Sequence, residues 1–136
     1  MIYRRGLGAV GSVGRWVTLL LVSATLMGCA AEIVRMPTTL SQADPATARR
    51  IEIGALTTIE LASGFQRTLL SGSRWRQVGT VTQGEVFRSE DSVFSIAGAN
   101  THEAYLVIND ERLVGFYLPG ERAYSALPAP LPLRFR

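Results

Sequence analysis

Glu103-Ala104-Tyr105-Leu106-Val107-Ile108-Asn109-Asp110-Glu111-Arg112-Leu113-Val114-Gly115-Phe116-Tyr117-Leu118 is the stretch that decides the fold. Two runs rich in β-branched and aromatic residues flank polar residues 109–112, the pattern of an antiparallel hairpin with a four-residue loop. Neither run alternates cleanly between apolar and polar. Ala104, Leu106 and Ile108 stand against Tyr105 and Val107, and Leu113 and Tyr117 stand against Val114, Phe116 and Leu118. Apolar side chains on both faces predict a central hairpin with structure covering each side.

Shorter strand signals lead up to this hairpin. Ile51, Ile53 and Ala55 alternate with Glu52 and Gly54, and Ile59 and Leu61 flank Glu60. A second run spans 65–70, and Ser71-Gly72-Ser73 turns the chain into a strand over 74–81. Gln83-Gly84 leads into 85–88, and residues 92–96 form a further run before Gly98-Ala99-Asn100-Thr101 turns again. Beyond Pro119-Gly120, an edge strand is expected over 122–125. The expected fold is mainly β, a small antiparallel barrel or sandwich of about six to seven short strands.

The other end of the chain is of a different kind. Arg4, Arg5 and Arg15 precede a mostly apolar run over 16–26, which Met27-Gly28-Cys29-Ala30 closes. A basic start, a short apolar stretch and a small-residue boundary make a secretory signal peptide. The run falls short of the roughly 20 residues needed to cross a bilayer, and arginine ahead of it directs export of the residues beyond it. Leu26-Met27-Gly28-Cys29 resembles the lipobox of bacterial lipoproteins, although Met27 stands where a smaller residue is commoner. The resemblance implies cleavage between Gly28 and Cys29 and lipid attachment at Cys29, with palmitate among the acyl groups and a membrane as the first partner. Ala30 after the cysteine, where aspartate would mark inner-membrane retention, implies the periplasmic face of the outer membrane. Arg4-Arg5-Gly6-Leu7 also resembles a twin-arginine export signal, so the export route stays open.

Processing changes the charge. The full chain carries a net charge of +3, which by itself points to nucleic acid or anionic lipid. From Cys29 onward eleven arginines meet eleven carboxylates, so a nucleic-acid partner is not expected. Lysine is absent, which removes Schiff-base chemistry. Once Cys29 is lipidated no thiol remains for a disulfide, a metal or a nucleophile. His102 is the single histidine, too few for a zinc site built on histidines. No phosphate-cradling glycine motif occurs in the exported part. No cofactor and no metal are expected.

The expected organisation is therefore a signal peptide (1–28), a lipidated end with a flexible tether (29–50), a β domain (51–127) and a Pro-rich tail (128–136). Asp44-Pro45 offers a start for a barely two-turn helix within the tether. Trp and Arg are enriched at binding hot spots, which makes Arg74, Trp75, Arg76, Tyr117 and Tyr124 the candidate partner-binding surface. Strand alternation by itself gives a plainer reading of a core tryptophan between two solvated arginines. His102-Glu103 reads as a loop histidine beside a solvated glutamate, and no catalytic residues are assigned.

These features together describe a membrane-anchored, non-enzymatic envelope protein that binds an envelope protein partner, as an accessory of a secretion, conjugation or envelope-assembly complex. An alternative rests on Ser71-Gly72-Ser73-Arg74-Trp75, which resembles the Ser-Gly-x-x-Tyr loop of bacterial lysozyme-inhibitor lipoproteins. Trp75 replaces the tyrosine, and the second motif and the disulfide of that family are absent. A small hydrolase built on Glu85, Glu103 or Asp110 is a further alternative.

Overall fold

Residues 31–136 are described by this computed structural model, and among them the regular structure is all β. The strands are β1 (Met36–Pro37), β2 (Ser41–Gln42), β3 (Arg50–Glu52), β4 (Thr57–Glu60), β5 (Gln66–Leu69), β6 (Arg74–Val81), β7 (Gly84–Ser89), β8 (Ser95–Ala97), β9 (Thr101–Glu103), β10 (Tyr105–Asn109), β11 (Arg112–Leu118) and β12 (Ala123–Pro132). One curled antiparallel sheet runs in the order β1-β12-β11-β10-β7-β6-β2, with β3 also on the outer edge of β6. Hairpins β4–β5 and β8–β9 are small separate sheets. This is the mainly β, partly barrel-like fold that the pattern predicts. The added strands are mostly two to four residues long, too short to leave an alternation in the sequence.

β10 and β11 are central, as expected, with partners on both outer sides. Their turn is tighter than expected. Asn109 pairs with Arg112, leaving Asp110 and Glu111 as a two-residue connection with φ of 52° and 59°. Positive φ at both positions is the type I′ geometry, whose twist matches the flanking strands. The register shifts between Leu113 and Gly115, where β11 meets β12. That bulge moves Leu113 onto the face of Phe116 and Leu118 and leaves Tyr117 on the other, correcting the facial assignment drawn from uninterrupted alternation.

Two apolar clusters lie on the two faces. The larger gathers Trp75, Phe87, Leu106, Leu113, Phe116 and Leu118 under the β4–β5 and β8–β9 hairpins, which contribute Ile59, Leu69 and Ile96. The smaller consists of Val81, Val86, Val107, Tyr117 and Tyr124, with Leu40 packed against it.

Leu40 shows how the sheet closes. β1 lies on one edge and β2 on the other, yet Pro37 and Ser41 are four residues apart in the chain. Four residues reach at most about 14 Å, whereas six inter-strand spacings along the sheet amount to about 29 Å. The sheet must therefore curl toward the side that residues 37–41 cross. Leu40 packs on the smaller cluster, so that cluster lines the concave side. At Gly79 there is no room for a Cβ, which would collide with the Ser41 carbonyl and Leu40 Cδ1.

Three expectations are corrected. Residues 31–43, the described start of the expected tether, are docked: Ile33 is buried, β1 pairs with β12, and the Ser125 hydroxyl donates to the Val34 carbonyl at 2.8 Å. No helix forms at 44–50. Asp44 Oδ1 accepts the Ala46 N–H at 2.9 Å and the Asp44 carbonyl accepts the Thr47 N–H at 3.1 Å, a single turn with Pro45 at its second position. The Pro-rich segment is not a tail apart from the domain, because β12 continues through it, with Leu131 opposite Leu113 and Phe135 bridged to Ile53. Prolines at 128, 130 and 132 fall at every second place, so the donors they lack lie on one side of the strand, a device that blunts an edge. The basic start, the apolar run and the cleavage motif with Gly28 and Cys29 lie outside the described residues.

Glu111 occupies a left-handed position that costs an L-residue roughly 1–2 kcal/mol. Glu111→Gly creates the Asp-Gly pair that type I′ turns favour, and is expected to stabilise the fold by about 0.5–1 kcal/mol after the entropy cost of glycine. Urea denaturation monitored by tryptophan fluorescence checks this; an unchanged or lower midpoint contradicts the turn assignment.

Candidate functional site

One row of side chains crosses the concave side. Arg50 of β3 is directly opposite Arg76 of β6, which is opposite Arg88 of β7. Phe87 pairs with Leu106 of β10, so the next position of the row is Tyr105, which pairs with Tyr117 of β11. Tyr117 in turn pairs with Tyr124 of β12. Directly opposed residues in antiparallel strands share a face, about 4.5–5.5 Å apart at Cβ. The row therefore reads as three guanidinium groups followed by three phenols.

Over this row lies a groove of about 850 Å³, lined by Arg50, Arg76, Arg88, Tyr105 and Tyr117, with Leu40, Pro45, Val78 and Pro119 as apolar walls. The loop from Ala43 to Arg49 bounds it, held to β6 by the Ala43 N–H on the Val78 carbonyl at 3.0 Å and the Gln77 N–H on the Arg49 carbonyl at 2.8 Å. Bulging of β6 between Gln77 and Gly79 sets Val78 and Gly79 on the same side, and so brings Arg76, two residues before Val78, onto the face of Arg88.

The electrostatics of the groove are one-sided. Like charges directly opposite one another across strands are destabilising, and here two such pairs are consecutive. Glu90, the single carboxylate of the lining, pairs with Arg50 at 3.2 Å. Arg76 Nη2 donates to the Pro45 carbonyl at 3.0 Å. Arg88 makes no ion pair among the described residues. The arrangement suits an anion held by guanidinium donors, with tyrosine rings 6.2 Å apart beside it.

Of the expected partner-binding residues, Arg76 and Tyr117 meet in this groove and the other three do not line it. Arg74 is tied to Asp91, whose Oδ2 accepts its backbone N–H at 2.9 Å and whose Oδ1 accepts Nη2 at 2.8 Å. The Arg74 backbone N–H and then its guanidinium hold the Asp91 carboxyl below the usual range. Trp75 is only 2 % exposed, stacked edge-on to Phe94 at 5.2 Å, with Nε1 donating to Ser73 Oγ. Tyr124 is buried behind Tyr117, and its hydroxyl donates to the Val114 carbonyl at 2.9 Å. That packing leaves no space for a side chain at Gly115, where a Cβ would stand 2.7 Å from the Tyr124 hydroxyl. Sequence reasoning missed Arg50, Arg88 and Tyr105. The hairpin turn ahead of Gly84 would by itself set Gln77 opposite Arg88, and only the bulge in β6, which side-chain types do not announce, brings Arg76 there.

His102 also departs from expectation. It is 6 % exposed and bridges two carboxylates, with Nδ1 2.6 Å from Glu121 Oε1 and Nε2 3.2 Å from Glu32 Oε1. Glu32 further accepts the Ile33 N–H at 2.8 Å and Asn100 Nδ2 at 2.7 Å. The Ile33 amide, then Asn100 and His102, lower the Glu32 pKa from an ordinary 4.5 to about 2. The Glu121 carboxylate, and more weakly Glu32, raise the His102 pKa against the opposing effect of burial. This cluster clasps the start of the described chain to the domain.

The two shifts define a pH window for the clasp. Glu32's contribution is complete above its ordinary pKa of 4.5 and disappears as pH falls toward about 2. His102's contribution is complete below its ordinary pKa of 6.5 and disappears as pH rises through its raised value. The docked segment is thus expected to be best protected between those two ordinary values. Hydrogen exchange across residues 33–38, taken relative to the intrinsic amide rate at each pH, should quicken on either side of the window. His102→Ala should quicken it by about tenfold or more within the window; unaltered exchange in that variant refutes the clasp.

Comparison with known proteins finds no match to this chain among protein families, curated proteins or solved structures.

Proposed function

We propose that this chain is a lipid-anchored, non-enzymatic binding protein of the bacterial cell envelope, and that the arginine–tyrosine groove is where it takes hold of another envelope component. The single observation that carries the binding half of this reading is the cationic row. Three arginines are aligned on adjacent strands with one carboxylate among them. A fold gains nothing from that alignment, because opposed like charges cost it stability, whereas a ligand of opposite charge recovers the cost on binding.

The anchoring half rests on the sequence, on the basic start, the apolar run and Leu26-Met27-Gly28-Cys29. Ile33 is buried in the domain, four residues beyond Cys29. Four residues span at most about 14 Å, so an anchored Cys29 holds this protein close against the bilayer rather than at the end of a long leash. The proposed setting is the periplasmic face of the outer membrane, with an accessory role in a secretion, conjugation or envelope-assembly complex.

Two measurements in living cells test the halves separately. Cys29→Ser is expected to abolish palmitate labelling and release the protein from the membrane fraction; labelling that persists contradicts the anchor. A photo-crosslinking amino acid replacing Tyr105 is expected to capture an envelope component, and Arg76→Gln with Arg88→Gln to abolish the capture. If no adduct forms, or if adducts are indifferent to the arginines, the groove is not the binding surface.

A further inference from the structure

We infer that the groove is a phosphate-ester site, in which Arg76 and Arg88 together hold the phosphate and Tyr105 with Tyr117 flank the sugar or glycerol body attached to it. The inference deepens the reading of the groove as a binding surface and rests on it.

The geometry distinguishes a phosphate from other anions. A single guanidinium satisfies a carboxylate completely, because the two planar oxygens match two parallel N–H donors. Arg74 with Asp91 and Arg49 with Glu85 show that this chain pairs arginine with carboxylate one to one where it needs to. The groove is built differently. Arg76 and Arg88 stand directly opposite one another on neighbouring strands, about 5 Å apart at Cβ, so a single ligand group meets both. A tetrahedral phosphate presents oxygens in more than one direction and carries between one and two negative charges, so it can bridge two guanidinium groups. The three-carbon stems and planar forks of arginine suit that bridging better than a point charge.

The state of the two donors agrees. Arg88 has no ion-pair partner among the described residues, and Arg76 spends one nitrogen on a neutral carbonyl. Arg50, the third member, is already neutralised by Glu90 at 3.2 Å. The uncompensated charge is thus two units on adjacent strands, beside the half-buried ring of Tyr105. Leu40 and Val78 complete an apolar wall against which a sugar ring or glycerol unit can pack.

A phosphate ester reaches such a groove either as a membrane lipid headgroup or as a soluble phosphosaccharide, and one titration series separates the two. The detergent-solubilised protein, as processed by the cell, is titrated calorimetrically with inorganic pyrophosphate, glycerol 1-phosphate, short-chain phosphatidylglycerol below its micellar concentration, and succinate. The phosphate probes are expected to bind saturably and succinate at least about tenfold more weakly. Arg88→Gln and the Arg76→Gln/Arg88→Gln double variant should weaken phosphate binding by about tenfold or more. Arg112→Gln/Arg134→Gln, an equal charge change elsewhere, should leave it within about twofold. Arg88→Gln removes no hydrogen bond of the described fold, and an unchanged thermal midpoint verifies that folding is not the cause. Tighter phosphatidylglycerol than glycerol phosphate identifies the lipid source, and the reverse order a soluble one; both support the site. Absence of saturable phosphate binding, succinate binding as tightly, or equal loss in the distant double variant overturns it. If Tyr105 still crosslinks to an envelope protein in that case, the binding function stands and the phosphate assignment alone falls.

Discussion

Residues 36–42 fasten both edges of one sheet, and this double attachment governs the rest of the molecule. Met36 and Pro37 hydrogen-bond along β12, Ser41 and Gln42 along β6, and the few residues between them are too short to follow the arc of the strands. Curvature is therefore imposed by chain length. It creates a concave side narrow enough for Leu40 to reach the cluster of Val81, Val86, Val107, Tyr117 and Tyr124. The convex side is left broad, so two additional hairpins are needed to cover it. The larger core is there, under β4–β5 and β8–β9, and it supplies most of the buried apolar side chains. Closure by a short crossing segment also explains why Gly79 has no side chain, since any Cβ would push Ser41 off the edge of β6.

The curl also makes the groove. On a flat sheet the row from Arg50 to Tyr117 would be a stripe open to water. Bent toward Leu40 and bounded by the loop at Pro45, the same row lies at the floor of a cleft, where solvent screens charges less and a bound anion is enclosed on several sides. Cleft and core thus share one cause. The bulge in β6 contributes locally, because without it Val78 would turn to the convex side and the groove would lose a wall.

Much of this was legible in the sequence, and what was not has a physical explanation. The hairpin of β10 and β11 was readable because long runs of Val, Ile, Leu, Phe and Tyr leave few alternatives, and the span of β6 because turn residues at 71–73 and 83–84 bound it. Two-sided apolarity correctly marked the hairpin as central. Facial assignment failed at Leu113, because a bulge shifts parity by one residue and has no signature in side-chain type. The docking of residues 31–43 was invisible for a related reason. Its strands are two residues long, and what fixes them are pairings with partners some forty to ninety residues distant. His102 read as a loop histidine because its two carboxylates, Glu32 and Glu121, are 70 and 19 residues away. The arginine row was the least legible feature. Arg50, Arg76 and Arg88 are unremarkable in sequence and become a unit only through the register of three strands. Trp75, the most conspicuous candidate, was drawn into the core by the same alternation that exposed its arginine neighbours.

The attachment of residues 32–37 has a mechanical consequence. Tension applied ahead of residue 32 does not reach the sheet directly. It is borne first by the contacts of Glu32 with His102 and Asn100 and by the seating of Ile33, next by the Ser125 bond to Val34, and only then by β1. When β1 yields, the load passes to residues 38–40 and from there to β2, so the strap that keeps the sheet curled is the next part to be pulled away. A steady pull from the N-terminal side would accordingly open the concave face before it disturbed the convex core. In that order of failure, this small domain would register force as a change in the shape of its groove.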